Sequence, residues 1–264
     1  NNILWVGTGT SGLNKCSLYP HMFTLVKNER SNPHSLSHKS IRSIFEDSKG
    51  TLWIGTDNGL NSIEKESKNI RKYFSDPGNS KSLSNNTIWT IAEDRNGYLW
   101  IGTQSGLNKF DPKNKSFVRF LNDQKDKKSI PYNLITHIYI EDNDILWLGT
   151  GGGGLIKYDP QRNAFKQFYH QNQDVNSISD NSVYDIYKGK NNQLWICTFT
   201  GLNSFDPMTE KFVRHDQMKL SNRVQETTTI FSLHEDETGV VWLGTLGDGL
   251  IRYDVAHHQV KSYT

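Results

Sequence analysis

The chain has 264 residues, 34% hydrophobic and 22% charged, with a net charge of +2. A balance so near neutral, with no basic run, gives no pull toward nucleic acid or an anionic membrane. Its longest apolar runs are about five residues, far below the roughly 18–20 that span a bilayer, and two cysteines are too few for a disulfide framework.

Taken in chain order, the first recognisable stretch is Leu4 to Thr8, Leu-Trp-Val-Gly-Thr. It returns at Leu52 to Thr56, Leu99 to Thr103, Leu146 to Thr150, Leu194 to Thr198 and Val241 to Thr245. Cys197 replaces Gly in the fifth copy, and Val replaces Leu in the sixth. The tryptophans Trp5, Trp53, Trp100, Trp147, Trp195 and Trp242 lie 47 or 48 residues apart. A Leu follows each: Leu13, Leu60, Leu107, Leu155, Leu202 and Leu250. The first five stand 40 residues before the next Trp, so all length variation falls in one short Gly-rich turn. A fixed period of this size marks a repeat architecture, and a constant unit suits repeats that pack on their neighbours at one angle.

The third copy shows what a unit holds. Thr87 to Glu93 is apolar and β-branched, a strand signal. Asp94-Arg95-Asn96-Gly97 is a turn, with Gly supplying positive φ. Tyr98 to Thr103 is a second strand, Leu107 to Phe110 a third and Ser116 to Leu121 a fourth, before a polar connector from Asn122 to Asn133. Six such meanders predict an all-β fold, a β-propeller of four-stranded antiparallel blades. The blades are expected at about 1–28, 40–75, 86–122, 133–170, 181–216 and 228–264, all within one propeller domain. The second strand is apolar at consecutive positions, as in a strand buried on both faces. Each Trp is therefore expected between blades, and the Gly after it to leave room for a bulky neighbour. Cys16 and Cys197 read as small buried hydrophobes. Only five first strands precede six second strands, and the chain opens inside a repeat with no initiating Met. It reads as a fragment of a larger propeller and of a longer protein.

The unit Ser82-Leu83-Ser84-Asn85-Asn86-Thr87-Ile88, Ile91-Ala92-Glu93-Asp94, Leu99-Trp100-Ile101-Gly102-Thr103 and Gly106-Leu107-Asn108-Lys109-Phe110-Asp111-Pro112 resembles the two-component regulator propeller repeat. The resemblance covers essentially the whole chain. It implies a seven-bladed propeller in the periplasmic sensor region of a hybrid two-component system, part of an inner-membrane protein. Its implied partners are an oligosaccharide ligand, a neighbouring propeller and an immunoglobulin-like domain, with a homodimer also open and a histidine kinase beyond the membrane. It implies sensing rather than catalysis. A protein-interaction scaffold is the alternative, ahead of a propeller lyase or hydrolase. Three departures stand out: Ile140 to Asp144, Lys188-Gly189 in place of Glu-Asp, and the connector Ser221 to Thr229, which lacks the Ser-Leu-Ser-x-Asn pattern.

In a four-stranded meander, the connectors and the turns between strands two and three emerge on one face. Function concentrates in loops on a rigid scaffold. One variable connector slot holds His38, Asn85, Tyr132, Asp180 and Thr227, and the neighbouring turn holds Asp57, Gln104, Phe199 and Asp248. Trp89 stands at the mouth of a first strand. These groups could stack on a sugar ring and bond its hydroxyls; the plainer alternative is solvated loop residues, with Trp89 packed between blades. Scattered histidines give no metal-ligand spacing, and no nucleophile signature or cofactor motif appears.

Overall fold

The structure, a computed structural model, describes residues 3–8, 12–18, 21–29, 31–65, 69–215 and 228–263. All regular elements among them are strands, so no helix there is long and apolar enough to cross a membrane. The chain divides into two compact units, Asn1–Asp144 and Ile145–Thr264.

The first unit opens on three strands, β1 (Ile3–Thr8), β2 (Gly12–Leu18) and β3 (His21–Val26). A four-stranded sheet follows: β4 (Ile41–Glu46), β5 (Leu52–Thr56), β6 (Gly59–Ile63) and β7 (Ile70–Tyr73). The next is β8 (Ile88–Glu93), β9 (Leu99–Thr103), β10 (Gly106–Asp111) and β11 (Ser116–Phe120). Strand β12 (Ile135–Ile140) ends this unit. The second unit holds β13 (Leu146–Thr150), β14 (Leu155–Asp159) and β15 (Ala164–Phe168). Then come β16 (Val183–Lys188), β17 (Leu194–Thr198), β18 (Gly201–Asp206) and β19 (Lys211–Arg214). The last sheet is β20 (Ile230–Glu235), β21 (Val240–Thr245), β22 (Leu250–Asp254) and β23 (Gln259–Tyr263). In every sheet spatial order follows chain order, and β12 to β15 form the fourth. One three-stranded and five four-stranded meanders are the blades of a β-propeller, the first beginning on its second strand as the sequence implies.

Every residue of β5, β9, β13 and β17 is buried. In the first three copies the Gly of the motif lets the next blade approach closely. A Cβ on Gly7, Gly55 or Gly102 would come within 2.8, 2.7 or 2.8 Å of Cγ2 of Ile41, Ile88 or Ile135, the first residue of the next blade. Trp53 packs against Leu83, Ile88 and Phe110 of the following blade, its ring 5.3 Å from that of Phe110. Trp147 meets Phe205 in the same way at 5.2 Å, and Trp195 joins Ile230, Leu243 and Tyr253. Trp5 packs on the cluster of Ile41, Leu52 and Ile54, and Trp100 is 1% exposed. Trp242 departs from the expectation. It is half-buried. Within each complete blade a ring in or just after the fourth strand packs on the indole: Tyr73, Phe120, Phe168, His215 and Tyr263 lie 5.0–6.1 Å away.

The Glu-Asp turn is a latch. Asp47, Asp94 and Asp236 each accept the indole N–H of the Trp six residues on, at 2.8–2.9 Å, and cap the turn's own backbone N–H groups. The Glu reaches back one blade: Glu93 accepts from the Ser48 N–H and hydroxyl, both at 2.7 Å. Lys188-Gly189 breaks the pattern, and Glu235 fills both roles, accepting from Trp195 Nε1 at 3.1 Å and Lys190 N at 3.2 Å. Only Gly admits it, since a Cβ on Gly189 would stand 2.9 Å from that carboxylate.

Arg119 and Arg214 clip the connectors that enter their own blades. Arg119 donates from Nε to the Ser82 carbonyl and from Nη2 to the carbonyls of Asp76 and Asn79 and the Ser82 hydroxyl. Arg214 repeats the set on Ser177 and Asp174. Arg119→Met, which keeps the stem but strands these acceptors, is expected to cost about 1–3 kcal/mol in denaturant unfolding. Cys197 is fully buried, and burial, then the Asp185 charge, pushes its thiol well above the usual range. It is expected to resist alkylation until the chain unfolds, in a Cys16→Ser background that removes the second thiol. The Cys16 side chain lies outside the described residues, as do Ser221 to Thr227 of the last connector.

Candidate functional site

The first strands carry a feature that sequence reading missed. Pairing with the second strand slips between Ile41 and Ser43, Ile88 and Thr90, Val183 and Asp185, and Ile230 and Ser232. The bulged residues are Arg42, Trp89, Tyr184 and Phe231. A bulge twists the strand and re-aims one side chain, and such bulges are common beside functional sites. Fifteen residues on from Arg42 and from Trp89, in the turn after the second strand, stand Asp57 and Gln104, and both pairs are bonded. The same offset reaches Phe199 from Tyr184 and Leu246 from Phe231.

In the first unit these residues form one chain of contacts. Gln104 Oε1 accepts the Trp89 indole N–H at 3.1 Å. The Arg42 guanidinium carbon lies 4.0 Å from the centre of the Trp89 ring, a cation–π stack. Arg42 Nε donates to Asp57 Oδ1. Burial pushes the Asp57 carboxyl up, but hydrogen bonds from Arg42 and Ser40 and the charges of Arg42 and His38 outweigh it and hold it below the ordinary value. Asp57 is thus an ionised partner of Arg42 and no proton donor. Of the sequence candidates, Asp57, Trp89 and Gln104 come together here, with His38 beside Asp57.

In the second unit the Tyr184 and Phe231 rings lie 4.6 Å apart. Burial, and then the Asp180 charge, raises the Tyr184 phenol. Phe199 and Phe231 keep much of their rings exposed, and the Thr229 hydroxyl donates to the Phe199 carbonyl at 2.9 Å. Asp248, in the last turn, is buried.

The variable connector slot has a local structural use. His38 Nδ1, Asn85 Oδ1 and Asp180 Oδ1 accept the backbone N–H two residues on, at 3.2, 2.8 and 2.7 Å, as turn-forming side chains do. Tyr132 sits half-buried at the same slot, and Thr227 lies outside the described residues. The neighbouring Asn is structural as well: Asn86 takes the Ser75 N–H at 2.7 Å on its side chain and the Gly59 N–H at 2.7 Å on its carbonyl. Among the described residues no three His, Cys, Asp or Glu side chains group to hold a metal ion.

Comparison with known proteins bears on these features. A family model described as the two-component regulator propeller matches residues 35–58, 82–105 and 177–200. Each match runs from a connector through the first strand and the second. Over 81 residues the chain is 34% identical to histidine kinase P4 of Formosa agariphila, a stretch that is 29% of this chain and 6% of that protein. The fold resembles the extracellular domain of a protein assigned to a hybrid two-component system of B. thetaiotaomicron, with a TM-score of 0.79 and 24% identity. That likeness covers 99% of this chain and 33% of the other. A catalytically inactive virginiamycin B lyase from Staphylococcus aureus, solved with quinupristin, gives a TM-score of 0.69 at 12% identity, covering 99% and 87%. Both structural likenesses speak to fold alone. Three repeats of this chain match the model of the two-component regulator propeller, and three more stand in phase with them along the sequence.

Proposed function

We propose that this propeller is the ligand-sensing part of a hybrid two-component signalling protein, placed outside the cytoplasm and non-catalytic. Its ligand is an oligosaccharide, and binding is relayed to a histidine kinase. The observation that carries this reading is the bulged slot: Arg42, Trp89, Tyr184 and Phe231 differ from blade to blade on a scaffold that does not. Planar aromatic and planar polar groups of this kind stack on sugar faces and bond hydroxyls. A neighbouring propeller, an immunoglobulin-like domain and a second copy of the chain are its proposed partners. The relayed shift can be no larger than the ligand's differential affinity for the two arrangements. A protein-docking role is the second reading, favoured by the exposed Phe199, Phe231 and Leu246.

Calorimetric titration against glycan fragments tests the choice. Tyr184→Ala and Phe231→Ala are expected to weaken the best fragment about tenfold or more. Val118→Ser, on the exposed edge of β11, should leave it unchanged. Binding of no glycan, alongside tight binding of a protein, would favour docking.

A further inference from the structure

We infer that Arg42 is an anion-recognition group and that the ligand carries an acidic sugar, a carboxylate or a sulfate ester, at the first-unit cluster. This rests on the glycan-sensing reading above and narrows it.

Two arginines that hydrogen-bond connector backbone give an internal comparison. Arg119 and Arg214 sit on fourth strands with Nε and Nη2 saturated by carbonyls and hydroxyls. Arg42 uses Nε alone, toward Asp57, and among the described residues no acceptor meets either Nη group. Two Nη groups carry four N–H donors in one plane, a fork that fits a carboxylate or sulfate edge. The plane is held from two sides. The guanidinium carbon lies over the Trp89 ring, 4.0 Å from its centre, and Gln104 holds Trp89 through its indole N–H. Arg42 thus covers one face of Trp89, which makes Trp89 a positioning residue for the guanidinium on that face. Asp57 fixes Nε and still leaves the fork open. The Arg42 side chain is 31% exposed, enough to meet a ligand and dry enough for a charged bond to count.

The test uses the whole chain and matched oligomers of galacturonate, sulfated galactose and neutral galactose, titrated by calorimetry at low and high salt. Preferential binding of one acidic series, weakening with salt, is expected. Arg42→Gln should weaken that series about tenfold or more and lower the acidic-to-neutral affinity ratio. Trp89→Leu should reduce the acidic-to-neutral ratio with the thermal midpoint unmoved, which a purely structural residue would not do. The galacturonate and sulfate arms tell which anion is read. Neutral oligomers binding as well as acidic ones, or Arg42→Gln weakening both equally or neither, overturns the inference and leaves glycan sensing standing. No binding by any series overturns both.

Discussion

Truncating Trp53 to alanine is expected to destabilise the chain by about 3–5 kcal/mol, the range for emptying a large buried aromatic site. Three losses add up. The indole is 3% exposed and touches both its own blade and the next, so a cavity opens where two sheets meet. Its T-shaped contact with Phe110 goes. The Asp47 carboxylate loses the N–H it accepts at 2.8 Å. Denaturant unfolding should show a lower midpoint at an unchanged slope. Trp242→Ala is the control: the same motif residue is half-buried and should cost visibly less. Equal costs would contradict packing between blades as the source of stability.

Replacing Asn108 by alanine is expected to cost about 2–3 kcal/mol through stranded polar groups. This fully buried amide accepts the Ser84 N–H at 2.8 Å and donates to the Ser84 hydroxyl at 2.9 Å and the Ile101 carbonyl at 3.4 Å. The Ser84 hydroxyl in turn lies 3.1 Å from Thr103 Oγ1. Ser37, Thr56 and Asn61 repeat the network, as do Ser179, Thr198 and Asn203. The three copies with this network are those the family model matches. In the fourth copy the Ser and Asn slots hold Pro131 and Ile156. Pro has no N–H to satisfy and Ile no amide to offer, so the two changes belong together. Ser84→Pro with Asn108→Ile should cost less than the sum of the single changes. Full additivity would contradict the network.

The blades were legible because the repeat imposes one length and one pattern. Consecutive apolar residues in Leu-Trp-Ile-Gly-Thr announced two-sided burial, and Gly55 and Gly102 do admit Ile88 and Ile135. The indole latch was not legible. Asp47 and Asp94 looked like turn residues, and nothing local says that a carboxylate will reach an indole six residues on. The candidate site was half legible. Asp57 and Gln104 stand out as varying residues of one turn and Trp89 as the one Trp outside the repeat motif, whereas Arg42, Tyr184 and Phe231 do not stand out. A bulge is a misalignment between two strands and leaves no mark on either alone. The slot after the first Ile or Val of each first strand holds Arg42, Trp89, Thr136, Tyr184 and Phe231, and its spread of chemistry was the signal available. His38, Asn85 and Asp180 vary within a slot that caps one turn, since several side chains can make that bond.

The most direct measurement of sensing at the bulged slot is a crystal structure with the best-binding glycan fragment. The fragment is expected against Arg42 and Trp89 or against Tyr184 and Phe231. Density instead at the latches of Asp47, Asp94 or Asp236 would contradict the account.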